Sequence, residues 1–237
     1  MKLDQHFLVN EKIAKLMASG CKIDEKSTVV EIGPGNGEVT RFIPKCNLTL
    51  IEKDGELAEK LKQKFNAKIV VGDGVSELRK RDFDFLISSV PYSISEPLVR
   101  ELMLHGFKKA VLILPEKFIE SILEPRTSFS FIANNLLGIK IIKTLEKSDF
   151  EPEPGTSSVV VGIAKNKKAS RILEKLYLQQ DKKLKNALRE AIVEIKKTTK
   201  NKAREIIENL DLDKQSLDKS LKTVSLEVIR QIAAIKI

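Results

Sequence analysis

Two apolar runs, each ending in a turn of unusual composition, constrain this chain most. Thr28–Ile32 leads directly into Gly33-Pro34-Gly35-Asn36-Gly37, and Phe85–Ile87 leads into S-V-P-Y-S-I-S, Ser89 to Ser95. Around them, short β-rich runs alternate with helical ones from residue 28 to about 114. Leu48–Glu52 precedes a helix over Gly55–Phe65, with Leu57, Leu61 and Phe65 on one face. Ile69–Val71 ends at Gly72-Asp73, and Ser95 is placed to cap a helix over Glu96–Leu104. Ala110–Leu114 reads as a buried strand, followed by helix-like Glu116–Leu123. This β-α-β-α order requires a parallel sheet covered on both faces, so both turns lie at strand ends.

Ile139–Leu145 and Ser157–Ile163 are joined through F-E-P-E-P-G without room for a crossover helix. They are expected to form an antiparallel pair at one sheet edge. After a polar junction at 164–170, helical periodicity takes over, through Ile172, Leu173, Leu176, Leu184, Leu188, Ile192, Ile195, Ile206 and Leu210. The expectation is an α/β domain over residues 1–164 and a small α-helical domain over 165–237, which a chain of 237 residues accommodates.

Charge divides along the same line. Residues 1–164 carry 23 Lys/Arg and 23 Asp/Glu, whereas 165–237 carry 19 against 10, so the whole excess of +9 lies in the last third. A neutral domain joined to a basic one points to a polyanionic partner, nucleic acid or an anionic surface. The alternative is a lysine-rich solvated helical surface. Cys21 and Cys46 form no metal or redox motif, and no metal site is expected. No apolar run reaches the roughly 18 residues needed to span a membrane, and nothing resembles a signal peptide, so a cytoplasmic protein is expected.

The glycines permit a tight turn and close approach of a ligand to the backbone. A dinucleotide fingerprint would require a glycine at 38, which is Glu38, and a pyrophosphate would be repelled there. The pattern suits S-adenosylmethionine, a sulfonium cation without phosphates. Glu52 is placed to accept hydrogen bonds from the ribose hydroxyls, and Asp73 from the adenine amine; the plainer role of each is to cap a helix. In the S-V-P-Y turn, the Ser89 side chain and the Val90 carbonyl are placed to accept the hydrogens of a nucleobase amine. Pro91 holds Val90 extended, and Tyr92 offers a flat face to a flipped-out base.

Together these segments resemble the dimethyladenosine transferases, rRNA adenine dimethylases related to the erythromycin-resistance methylases. The likeness rests on Q-H-F-L (Gln5–Leu8), E-I-G-P-G-N-G (Glu31–Gly37), Glu52, Gly72-Asp73, S-V-P-Y-S-I-S, and F-E-P-E-P-G-T-S-S-V-V (Phe150–Val160), followed by the basic helical tail. The resemblance implies a Rossmann-like methyltransferase sheet that methylates the exocyclic amine of adenine in small-subunit rRNA, within a small ribosomal subunit precursor, as a monomer. It adds His6 and Leu8 to the cofactor contacts of Gly33, Gly35, Glu52, Asp73 and Ser89. It also makes Phe150 the second aromatic wall around the target adenine, opposite Tyr92. Lys182, Lys183, Lys185 and Arg189, close together in a helical stretch, are the expected RNA contacts. Ser89 stands where the family usually has Asn, and the stretch after Glu116 is shortened and lacks the family's basic, tyrosine-bearing pattern. These departures leave a second reading, an RNA-binding ribosome-assembly factor with weak or absent catalysis.

Overall fold

The computed structural model describes residues 6–89, 91–210 and 212–235. The chain divides into two compact units, Met1–Glu120 with Gly138–Lys165, and Ser121–Leu137 with Asn166–Ile237. The second unit therefore includes residues 121–137, which lie well before the polar junction.

The chain begins with β1 (Phe7–Leu8) and α1 (Glu11–Ser19), whose N-terminus is capped by the Asn10 side chain. Next come β2 (Thr28–Ile32), β3 (Asn47–Glu52), α2 (Gly55–Lys64), β4 (Lys68–Val71) and α3 (Gly74–Leu78). They are followed by β5 (Phe85–Ser89), α4 (Ser95–Leu104), β6 (Lys109–Pro115), α5 (Glu116–Leu123) and α6 (Ser128–Leu136). Three strands, β7 (Leu137–Leu145), β8 (Phe150–Glu151) and β9 (Ser158–Lys165), precede the helices α7 (Arg171–Tyr177) and α8 (Leu184–Lys196). The last elements are α9 (Lys200–Glu208), α10 (Lys214–Leu217) and α11 (Leu226–Ala233).

Seven strands form one sheet in the order β4-β3-β2-β5-β6-β9-β7. Pairings from β4 through β6 are parallel, and β9 runs antiparallel to β6 with Ile113 opposite Val160. The order reverses between β2 and β5, which opens a crevice at their carboxyl ends. There Ser88 Oγ, fully buried, donates to the Ile32 carbonyl at 2.6 Å and ties the two strands together. Val29, Leu50, Ile51, Leu86, Ile87 and Leu112 are almost wholly buried along the centre of the sheet, as continuous apolar parallel strands require.

The expected edge pair is present, β9 and β7 being the last two strands of the sheet, and two other local expectations are corrected. β7 is outermost, and β9 lies between β6 and β7. Its run Ser158–Ile163 is buried throughout, as fits an interior strand. Ser95 opens α4 as its first residue, and its buried hydroxyl has no hydrogen-bond partner, so it caps nothing. Phe65 ends α2 in extended conformation, and its ring covers Gly37.

In the second unit, α7 buries Ile172, Leu173, Leu176 and Tyr177, while α8 buries Leu184, Ala187, Leu188, Ala191 and Ile192. Ala203 and Ile207 of α9 and Val228, Ile229 and Ile232 of α11 add to these buried surfaces. The i, i+3, i+4 spacing of these residues is the apolar stripe by which short helices bury one face.

Candidate active site

A cleft opens at the strand-order reversal, and both sequence turns line it. Gly33, Gly35 and Gly37 all have positive φ, 64°, 60° and 94°, a region that other residues enter only with strain. Gly37 has a second reason to be glycine, since a Cβ there would lie 2.4 Å from the Phe65 ring. The Gly35 amide donates to Glu52 Oε2 at 3.2 Å, and the Asp54 amide donates to Oε1 at 3.0 Å. Glu52, 5% exposed at the end of β3, thus holds the glycine turn while lining the cleft.

The N-terminal strand reaches the site by a route the sequence did not display. β1 pairs antiparallel with β8, setting Leu8 opposite Phe150 and Phe7 opposite Glu151. The Phe7 ring packs at the spot where a Cβ on Gly35 would stand, 3.1 Å away. His6 Nδ1 lies 2.7 Å from the Pro152 carbonyl oxygen, and its ring stacks toward Tyr92 at 6.0 Å between centroids. Tyr92 in turn hydrogen-bonds through its hydroxyl to Ser158 Oγ on β9. His6 therefore links Pro152 to Tyr92, and Tyr92 links His6 to Ser158.

Most of the expected site residues meet here. His6, Leu8, Gly33, Gly35, Glu52, Ser89, Pro91, Tyr92 and Phe150 all line the cleft. Val90 lies outside the described residues. Asp73 is not among the lining residues: it caps α3, accepting from the Ser76 amide at 2.9 Å, and that bond holds its carboxyl below the usual range. Phe150 is only 4% exposed and belongs to the core with Leu8, Ile113 and Val160, while also lining the cleft.

Sequence reasoning passed over Glu31, Glu38 and Phe7 as lining residues. Glu31 is 2% exposed and accepts from Thr40 Oγ1 at 2.7 Å. Burial, the largest influence, pushes its carboxyl up to about 8; the Thr40 bond opposes this, and the Glu38 and Glu52 charges add to it. A lone carboxylate inside the apolar strand T-V-V-E-I was the available signal. Among the described residues the cleft is lined by three carboxylates and by no lysine or arginine. That donor set fits a cationic sulfonium cofactor and would repel a phosphate-bearing one.

The expected RNA contacts occupy a different setting. Lys182 and Lys183 precede α8 rather than lying within it, and Lys185 and Arg189 share one of its faces. Lys182 pairs with Glu190 at 2.7 Å, and Lys183 and Lys185 both pair with Asp218, at 3.2 and 2.8 Å. Arg189 is half-buried, and its Nε is buried without a hydrogen-bond partner.

A mostly parallel sheet with its cleft at the order reversal, a glycine turn at positive φ, acidic strand ends and an adjacent Pro-Tyr turn define a Rossmann-like methyltransferase. A model of the family described as ribosomal RNA adenine dimethylase matches residues 1–227. The chain belongs to that family. It is 27% identical over 233 residues to "Probable ribosomal RNA small subunit methyltransferase A" of Methanopyrus kandleri, covering 90% of this chain and 84% of the relative. It is 29% identical over 205 residues to the protein of the same name in Methanococcoides burtonii, covering 78% and 76%. Among solved structures, a dimethyladenosine transferase from Plasmodium falciparum superposes with a TM-score of 0.66 at 20% identity, over 96% of each chain. The 23S rRNA methyltransferase ErmE superposes at 0.62 and 15% identity, over 95% of this chain and 97% of its own. At those identities the two structures confirm the fold.

Proposed function

We propose that this S-adenosylmethionine-dependent rRNA adenine methyltransferase acts on the exocyclic amine of an adenine in small-subunit rRNA, within a subunit precursor. The observation that carries the proposal is the single cleft shared by the glycine turn, the carboxylates and Tyr92. S-adenosylmethionine, when bound, supplies an electrophilic methyl group on a sulfonium. Gly33, Gly35 and Glu52 are the residues to hold it, with Leu8 and Phe7 excluding water above the glycine turn and Glu31 and Glu38 balancing its positive charge.

An adenine amine is a weak nucleophile because its lone pair is delocalised into the ring. Ser89, at the end of β5 and lining the cleft, accepts one amine hydrogen, and the Val90 carbonyl accepts the other. Both bonds favour a tetrahedral nitrogen whose lone pair is free to attack. Tyr92, fixed at its hydroxyl by Ser158, supplies the stacking face. Lys182, Lys183, Lys185 and Arg189 contact RNA phosphates. The protein works as a cytoplasmic monomer. Among the described residues no helix is long and apolar enough to cross a membrane.

An assembly factor without catalysis is not the favoured reading, because the relatives are named as methyltransferases and Ser89 lines the cleft. Incubation with labelled methyl donor and unmodified small-subunit particles should place label in methylated adenine of the small-subunit rRNA. Label in no nucleoside, with RNA binding intact, would instead support the assembly factor.

A further inference from the structure

The second unit has a concentration of positive charge that its own carboxylates leave unmatched. From Lys196 to Arg204 the sequence K-K-T-T-K-N-K-A-R contains five cations and no acid. Lys196 ends α8, Lys197–Thr199 form the turn, and Lys200, Lys202 and Arg204 lie on the first half of α9. All five are exposed, and among the described residues none takes part in an ion pair. Five other lysines of the unit are matched. Lys175 pairs with Glu194, Lys182 with Glu190, Lys183 and Lys185 with Asp218, and Lys222 with Asp181. Glu190 is near enough for Lys200 to lower its pKa, but Lys182 already holds that carboxylate.

The turn itself is tightly built. The Lys197 and Thr198 amides both donate to the Val193 carbonyl, the Schellman-like arrangement that closes a helix. Lys197 takes the left-handed position, φ 50° and ψ 46°, where glycine is the usual occupant. A charged side chain is thus kept at a position whose backbone disfavours it, and Thr199 caps α9 two residues later, accepting from the Lys202 amide.

We infer that the α8–α9 turn is a phosphate-contacting surface for RNA, separate from the Lys182–Lys185 cluster, with Lys196, Lys197 and Lys200 gripping the backbone and Lys202 and Arg204 flanking them. The inference deepens the proposed function and rests on RNA being the substrate. Unpaired exposed ammonium groups bind phosphate without first giving up an internal partner, so the full benefit of counterion release from the nucleic acid is retained. Contacts of this kind position RNA and read no sequence.

The test uses the full-length chain in filter binding to small-subunit rRNA between about 50 and 200 mM salt. Replacing Lys196, Lys197 and Lys200 by Gln should lower affinity tenfold or more at the low end. It should also flatten the log–log salt slope by about 0.7–0.9 for each phosphate that is no longer neutralised. Methyl-donor binding should be unchanged. Lys197→Gly alone makes a sharper test, because glycine suits the left-handed backbone. Its melting temperature should hold or rise while RNA affinity falls several-fold, a split that a purely structural residue would not give. Wild-type affinity and slope in both variants, in a protein that methylates small-subunit particles, would overturn the inference and leave the function standing. Loss of RNA affinity in the variants of a protein that transfers no methyl group would sink the enzymatic reading and uphold the turn.

Discussion

Glu31 shows how one residue ties the site to pH. Its carboxyl, pushed up to about 8 chiefly by burial, is mostly protonated at pH 7 in the free protein. A cationic cofactor beside it favours the carboxylate, so binding should release protons, and affinity should rise with pH until about 8. Calorimetry in buffers of differing ionisation enthalpy reads this directly, and Glu31→Gln, which keeps an acceptor for Thr40, should abolish most of the release. The stability sign follows from the same shift. Between the ordinary value of 4.5 and about 8 the folded state binds more protons than the unfolded one, so this group's stabilisation is full below that window and is lost as pH rises through it. Glu31→Gln should flatten that part of the stability profile; an unchanged profile would show the carboxyl to be ionised throughout. The adjacent serines separate in another way. Ser88→Ala loses a buried bond to the Ile32 carbonyl and should cost about 0.5–1.5 kcal/mol of stability. Ser89→Ala should lower methyl transfer at nearly constant stability, and Ser89→Asn should maintain or raise it. Equal rates for Ser89→Ala and wild type would remove the hydroxyl from the mechanism.

At the scale of elements, the two aromatic residues assigned to the base pocket differ in what their removal measures. Tyr92 follows β5 on a short helical turn and is half-buried, so Tyr92→Ala should reduce transfer by the loss of about 1–3 kcal/mol of stacking while leaving cofactor affinity nearly intact. Phe150, on β8, sits in the core, and Phe150→Ala should cost about 3–5 kcal/mol of stability, visible as a lowered melting temperature. If Phe150→Ala melts like wild type, the residue belongs to the pocket alone. The difference between the two was not legible beforehand, because both appear in the sequence as an aromatic close to a proline. The strand ends were legible: Thr28–Ile32 and the glycine turn stand where periodicity and composition put them, since a buried parallel strand ending in glycines has few other readings. The β1–β8 pair was not, because two residues show no period and their pairing joins distant segments of the chain, Leu8 to Phe150. Asp73 was legible as a residue with two compatible roles. An Asp between a strand and a helix can serve as a cap and as a ligand contact at once, and the Ser76 amide bond to Oδ1 shows the first of these.

For the whole molecule, net charge was read correctly as a sum but not as a distribution of free charge. Lys182, Lys183 and Lys185 are cations in the composition, yet Glu190 and Asp218 hold all three. Lys185 and then Lys183 keep the Asp218 carboxyl below its usual range. Exposed pairs of this kind contribute only about 0–1 kcal/mol each, so phosphate can compete for the lysines, but it must displace a carboxylate to do so. Charge reversal of these lysines would set like charges together around Asp218 and confuse binding with folding. The informative change is on the other side of the pair. Asp218→Asn frees Lys183 and Lys185 at once while keeping the shape of the side chain. If this cluster touches RNA, the variant should bind small-subunit rRNA several-fold more tightly at low salt, with a slope steepened by about 0.7–0.9 for each further phosphate neutralised. Cofactor binding in the neutral unit should stay as it was, because the change lies wholly in the basic one. Wild-type affinity and slope in Asp218→Asn, measured by the same salt titration, would show that these lysines serve their own carboxylates and that phosphate binds on other faces of the unit.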